Sequence, residues 1–256
     1  MNSNNVAFYN DQPLDTWSDI IVSFEYERFA LSAIPTGGFA VGFFDAIVDL
    51  PRNGGPNYSL GYAPSTEKAY CYQAGFPGLQ AAFLGIGFDS KGLFAANEFG
   101  RPGIPIANVN NTQTLTVRGG VAENYNVLEH INLTQILSTL PNSNTFTIDG
   151  SASALDNVFT RSVRIALKNH ATKLIVQIKD NPNRNEFDTV LDLTLPEKKR
   201  SALKVALTNT QENNITQFKV KNFNVAGFPG IVTSQKIEGC SFQLEQKNYG
   251  INSGLS

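Results

Sequence analysis

Between residues 78 and 92 the chain reads Gly-Leu-Gln-Ala-Ala-Phe-Leu-Gly-Ile-Gly-Phe-Asp-Ser-Lys-Gly, and this stretch limits the available folds more than any other. Leu84, Ile86 and Phe88 alternate with Gly85, Gly87 and Asp89, the period-2 pattern of a strand. One face of that strand is apolar; the other is almost bare of side chains. Glycine inside a strand costs entropy and packing, so something is expected to lie close to this backbone: another strand, a loop or a ligand. Asp89 ends the buried strand, where a carboxylate needs a partner.

The remaining pattern is also that of strands. Residues 17–29 alternate Ile20, Val22, Phe24 and Tyr26 with Ile21, Ser23, Glu25 and Glu27. A Pro-Thr-Gly-Gly turn at 35–38 leads into a return strand at 39–44, so the two read as a hairpin. A short strand is expected at 60–62 and another at 112–118, with Leu115 and Val117 on one face. Residues 124–140 fit either a helix stopped by Pro141 or a strand followed by a short helix. From 145 onward, Phe146 and Ile148, then 163–167, 173–179, 187–195, 203–207 and 215–225, alternate between turn signals about every 10 residues, as in an antiparallel meander. This predicts an all-β sandwich or barrel. With no repeat or linker, 1–256 reads as one domain with loose ends at about 1–5 and 248–256.

Composition narrows the function classes. The 256 residues carry a net charge of -2 and are 16% charged, against about 25% in a usual soluble domain. There is no Lys/Arg run to neutralise phosphates, which argues against nucleic acid. No apolar run approaches the roughly 18 residues of a membrane span, and the Met-Asn-Ser-Asn-Asn start lacks the parts of a signal peptide. Cys71 and Cys240 match no zinc spacing; they read as free thiols or one disulfide. The four Asn-x-Ser/Thr sequons, at Asn57, Asn110, Asn132 and Asn214, read as chance in an Asn-rich chain.

Several of these segments in order resemble the legume-type (L-type) lectins: Asp19-Ile-Ile-Val-Ser-Phe-Glu-Tyr, Gly38-Phe-Ala-Val-Gly-Phe-Phe, Ser59-Leu-Gly-Tyr, Leu84-Gly-Ile-Gly-Phe-Asp-Ser, Lys173-Leu-Ile-Val-Gln-Ile-Lys, Leu203-Lys-Val-Ala-Leu-Thr-Asn-Thr and Gln217-Phe-Lys-Val-Lys-Asn-Phe-Asn-Val. The resemblance spans residues 17–225 and implies a concanavalin A-like jelly roll of two large antiparallel sheets, with at most one or two short helices. The family's metal-binding Glu two positions before Asp89 falls at Gly87, and its sugar-binding Asp falls at Gly37. Asn97 and Glu98 remain as possible helpers in the following loop. The expectation is therefore no metal and no cofactor. Laminarinase-type hydrolases of the same fold place two Glu around this Asp; both are missing, and one Asp cannot be nucleophile and acid together, so no enzymatic activity is expected.

Two loops, 45–65 and 67–77, concentrate aromatic and acidic residues, and working residues gather on loops held by a rigid scaffold. The candidate carbohydrate- or partner-binding residues are Asp45, Asp49, Asn57, Tyr58, Tyr62, Asp89 and Asn97, with Tyr70 and Tyr72 as further exposed aromatics; the bland alternative is that the aromatics cover the end of the core. His130 reads as a packed, hydrogen-bonded histidine and His170 as a solvated turn residue. The sequence is similar to lectin-like domains in virion proteins of tailed bacteriophages, notably marine ones. That resemblance implies a structural or adhesion protein of a capsid, tail or fibre, a homo-oligomer or a partner of other virion subunits, with surface glycans as a second kind of partner. The alternatives are a free carbohydrate-binding lectin, cytoplasmic or exported without a classical signal, and a glycoside hydrolase.

Overall fold

In the computed structural model, the described residues are 5–10, 12–30, 37–67, 74–106, 109, 113–140, 159–180, 185–197, 202–210, 216–227 and 230–232. They form β1 (Asn5–Tyr9), β2 (Leu14–Asp15), β3 (Ile20–Ala30), β4 (Gly38–Asp45), β5 (Ala82–Asp89), β6 (Thr114–Gly119), β7 (Val127–Asn132), α1 (Leu133–Thr139), β8 (Phe159–Lys168), β9 (Lys173–Lys179), β10 (Asp188–Thr194), β11 (Ala202–Thr210), β12 (Thr216–Gly227) and β13 (Gly230–Val232).

The strands make two sheets. The first has the order β1-β11-β4-β5-β6-β7, with β2 also on β11; the second has the order β10-β9-β8-β3-β12-β13. Every strand pair named here is antiparallel. This is the jelly-roll sandwich that the sequence implied. Its inner layer takes alternate residues from both sheets: Val22, Phe24 and Tyr26 of β3, Phe39, Val41 and Phe43 of β4, Leu84, Ile86 and Phe88 of β5, and Val163, Ile165 and Leu167 of β8. Phe39 and Phe88 stack at 5.1 Å between centroids, and Phe24 meets both of them edge-on. Such ring pairs add about 0.5–1.5 kcal/mol beyond their burial.

Three expectations are corrected. β3 and β4 are not a hairpin: β3 pairs with β8 and β12, β4 with β11 and β5. The two strands belong to different sheets, and a Pro-Gly turn signal is the same whether or not the next strand pairs with the last; residues 31–36 between them lie outside the described residues. Residues 60–62 are a turn rather than a strand, following a single 3-10 turn at Asn57–Ser59. The long meander holds only for β8-β9-β10; β11 returns to the first sheet and β12 to the second. The ambiguous 124–140 stretch resolves as β7 followed by α1, whose first turn is capped by the Asn132 side chain accepting from the Gln135 N–H. Of the two expected loose ends, about 1–5 and 248–256, Asn5 instead opens β1; residues 1–4 and 248–256, together with Tyr70, Cys71, Tyr72, Phe146, Ile148 and Cys240, lie outside the described residues.

Candidate functional site

The bare face of β5 is covered by loops. A Cβ at Gly85 would stand 2.5 Å from the Tyr62 ring, and one at Gly87 would stand 2.2 Å from the Phe94 ring. Those distances are far inside contact, so glycine here is what lets two aromatic rings rest on the backbone. Tyr62, Phe94, Leu60, Leu79 and Tyr125 join Ala40 and Phe44 in a second apolar layer outside the first sheet. The tyrosine tips are satisfied: Tyr62 Oη donates to the Gly119 carbonyl (3.0 Å) and Tyr125 Oη to the Leu79 carbonyl (2.7 Å). Thr208 of β11 holds the same loop through its hydroxyl on the Leu60 carbonyl (2.6 Å).

Two arginines lie within this layer. Arg118 alternates with Leu115 and Val117, so it points to the glycine face, and it is 0% exposed. Its guanidinium donates to the carbonyls of Phe94 (2.8 Å), Pro102 (2.6 Å), Tyr125 (2.6 Å) and Ala96 (3.2 Å), with the Phe94 ring 5.1 Å away. Arg101, also buried, donates to Ser59 Oγ (2.8 Å), the Leu93 carbonyl (3.3 Å) and the Ala96 carbonyl (3.4 Å). Burial pushes Arg118 down to about 9, with the Arg101 charge acting in the same direction. Burial pushes Arg101 down to about 10, against the pull of Glu98, Asp89 and Glu67. Both stay cationic at neutral pH, and their donors close the carbonyls of the loop at 92–104.

Asp89 is 3% exposed. Oδ1 accepts from the Lys91 N–H (2.9 Å) and Oδ2 from the Phe94 N–H (2.6 Å). Burial raises its pKa; the bonds from the Lys91 and Phe94 amides, the Arg101 charge and the Gly92 amide oppose the rise. Next to it, Ser90 is tied by both its N–H and its hydroxyl to the carbonyl of Gly37, whose φ of 107° suits only glycine.

The lectin resemblance implies a metal here, and the residues do not fit one. A Glu side chain cannot stand at Gly87 without displacing Phe94. Both Asp89 oxygens already accept from backbone amides, and the nearby loop carbonyls accept from arginines. Calcium needs six to eight oxygens; this centre offers them to guanidinium instead. Among the described residues no group of three or more His, Cys, Asp or Glu is placed to hold a metal ion.

The expected binding residues divide between two poles. Tyr58 packs on Leu93, Ala96 and Val109; Asn57 next to it donates to Glu67 Oε1 (2.9 Å), and exposed Asn97 follows Ala96 in the same loop cluster as Asp89. Asp45 and Asp49 are elsewhere. Gly38 pairs with Asp89, whereas Asp45 is at the far end of β4, about 23 Å away at ~3.3 Å per residue. Asp45 accepts from the Ile47 N–H (3.1 Å), and exposed Asp49 pairs with the buried ammonium of Lys204 (3.0 Å). Tyr62 is corrected from a surface residue to a fully buried one, because its ring fills the space above Gly85. The arginines were the missed residues. Arg118 was findable from its parity with Thr114 and Thr116, opposite Leu115 and Val117.

A small cleft lies beside Asp89, lined by Tyr26, Phe88, Asp89, Ser90, Gln113, Thr114, Leu133 and Phe218. It has room for about one water molecule, far less than a small-molecule site needs.

No protein-family model matches the sequence, and no curated protein matches it. Among solved structures, a peanut lectin in complex with a nine-residue peptide is similar at 11% identity, covering 83% of this chain and 75% of its own, with a TM-score of 0.46. The Lotus tetragonolobus seed lectin gives 13% identity, 87% and 84% coverage and a TM-score of 0.47. The VIP36 exoplasmic/lumenal domain, in its Ca2+/Man3GlcNAc-bound form, gives 10% identity, 93% and 78% coverage and a TM-score of 0.46.

Proposed function

We propose that this protein is a non-enzymatic adhesion and assembly module that makes its contacts through exposed loops rather than through the Asp89 centre. One observation carries the reading. The place where the lectin resemblance puts metal and sugar is filled by the chain's own Tyr62, Phe94, Arg101 and Arg118. With its oxygens held by two amides and its nearest opposing charge a buried guanidinium, Asp89 is a structural acid and is neither a free nucleophile nor a proton donor. The setting in a virion, with other subunits or further copies as partners, rests on the sequence resemblance, the low charge and the Asn-rich surface.

The test has two parts. Purified protein is incubated with laminarin-type and mixed-linkage glucans while reducing ends are counted; no turnover is expected. Turnover abolished by Asp89→Asn would overturn the reading in favour of a hydrolase. Mass spectrometry of particles purified from the source should recover the chain in a fixed ratio to other structural subunits; its presence only in the particle-free fraction would remove the virion setting. The second reading, a free lectin at the Asp89 pole, is favoured by the exposure of Asn97 beside half-buried Tyr58. It requires glycan binding that Asn97→Ala or Tyr58→Ala removes.

A further inference from the structure

The other pole carries the chain's single tryptophan. Trp17 stands in the turn between β2 and β3 and is 75% exposed. Indole has more to gain from burial than almost any other side chain, so a lone tryptophan left in water marks a contact surface. It is held in place. Its backbone N–H donates to Asp15 Oδ1 (2.8 Å), and its ring meets the His170 imidazole at 4.6 Å and 76°. Two residues along, Asp19 pairs with the ammonium of Lys168 at 3.2 Å, and Lys168 is two residues before His170. Four side chains from two turns thus form one cluster: an indole, an imidazole, a carboxylate and an ammonium. The pole is opposite Asp89. Tyr26 of β3 lines the cleft beside Asp89, and Asp19 is seven residues earlier, about 23 Å along the strand.

We infer that this cluster binds one pyranose ring of a glycan. A pyranose has a face of C–H groups and a rim of hydroxyls. The C–H face lies on the open side of the indole, which His170 steadies from its own turn. The rim meets the ion pair, whose side chains are 46% (Asp19) and 39% (Lys168) exposed; the carboxylate accepts from one hydroxyl and the ammonium donates to another. The choice of ligand follows from desolvation. Ile47 and Leu50 are exposed at this pole too, on the loop tied to β11 by the Ala46 N–H on the Ala202 carbonyl, with β2 paired to the same residue. An apolar protein partner spreading across this pole would strip water from the Asp19–Lys168 pair and return no hydrogen bonds. Sugar hydroxyls return them. The inference concerns a different surface from the Asp89 centre and does not depend on the assembly reading.

The test uses the full chain on an array of mannose-, galactose- and N-acetylglucosamine-terminated oligosaccharides, followed by titration with the methyl glycosides of the same sugars. Because Trp17 is the only tryptophan, its emission reports directly on the site. Saturable binding to a subset of glycans is expected, with a saturable change in emission. Trp17→Ala should lower array binding by at least about tenfold without moving the melting temperature, since the ring is exposed. Asp19→Asn should lower it by about threefold to tenfold, while Ile47→Ser and Asn97→Ala leave it unchanged. Absence of saturable glycan binding overturns the inference, as does binding that survives Trp17→Ala. Concentration-dependent oligomers that Trp17→Ala and Ile47→Ser both dissolve, without a glycan response, would overturn it in favour of an interface between copies.

Discussion

The two faces of β5 are built by different physics. The inner face sends Leu84, Ile86 and Phe88 into a layer of aliphatic and aromatic side chains from both sheets, where what counts is apolar area and volume. From Gly85 to Asp89 the outer face sends only the Asp89 carboxylate, and receives rings from loops that also bring many backbone polar groups with them. A loop laid over a sheet brings carbonyls with no ladder to join, and buried carbonyls need donors. Arg118 and Arg101 supply them, with six bonds to carbonyls from two side chains and a seventh, from Arg101, to the Ser59 hydroxyl. The inner layer is held by many weak and interchangeable contacts, the outer one by a few directional contacts that are not interchangeable.

The sharpest way to break this contrast is to remove one large side chain from each layer. Phe24→Ala should cost about 3–5 kcal/mol as a cavity in the inner layer. Arg118→Met should cost about as much, ~3–5 kcal/mol, because it removes a guanidinium bond from each of four loop carbonyls. Denaturant melts give both numbers; hydrogen exchange separates them. In Arg118→Met the loop at 92–104 should lose protection and become a protease site while β8 and β9 keep theirs. In Phe24→Ala protection should fall across both sheets. Equal loss everywhere in Arg118→Met would mean that the outer layer is not a separate unit.

A milder pair exploits adjacent residues of one strand. Ile86→Val, facing inward, should cost about 0.5–1.5 kcal/mol. Gly87→Ala adds a single carbon outward, yet that carbon meets Phe94 Cδ1 at 2.2 Å, and should cost ~1–3 kcal/mol as overpacking. Thermal melts of the two variants rank them. A neutral Gly87→Ala would mean that Phe94 moves freely, against its tie through Arg118.

The same contrast explains what could be read from the chain. Alternation at 20–26 and 84–88 is imposed by the inner layer, so those strands were legible, and the bareness at Gly85 and Gly87 correctly announced a close neighbour. Which neighbour was not legible, because Tyr62 and Phe94 reach β5 from loops with no period of their own. Tyr62 therefore read as a surface aromatic. Arg118 read as a strand end because a charged residue is seldom placed inside, although its parity put it on the glycine face. Asp45 and Asp49 were grouped with the site because they are close to Asn57 in sequence; the length of β4, eight residues, separates them from Asp89.

Titration sharpens the comparison at the edge of the outer layer. His130 of β7 has Nδ1 2.9 Å from Thr116 Oγ1, and its Nε2 is buried without a hydrogen-bond partner among the described residues. Burial lowers its pKa and the Arg118 charge lowers it further, with Glu129 opposing. The unfolded chain then binds the proton more readily than the folded one, so stability is full above the ordinary pKa of about 6.5 and falls as pH drops through it toward the lowered value. Melting temperature followed from pH 7.5 down to 5 should show this decline, and His130→Gln should flatten it. A decline that survives in His130→Gln would place the titrating group elsewhere.

The smallest expected effect discriminates between two ways of holding the same loop. If guanidinium donors organise residues 89–104, a divalent cation has nothing left to coordinate. Excess EDTA should then move the melting temperature by less than about 1 °C, and millimolar calcium or manganese should not raise it. A cation bound at 100 times its dissociation constant would stabilise by about 2.7 kcal/mol, which corresponds to several degrees in a chain of this size, so the measurement has ample range. A dose-dependent rise that Asp89→Asn abolishes would show that the Asp89 oxygens can leave the Lys91 and Phe94 amides for a metal. The Asp89 centre would then be a site closed by its own loop and opened by a cation, rather than one whose positive charge is built into the chain as Arg101 and Arg118.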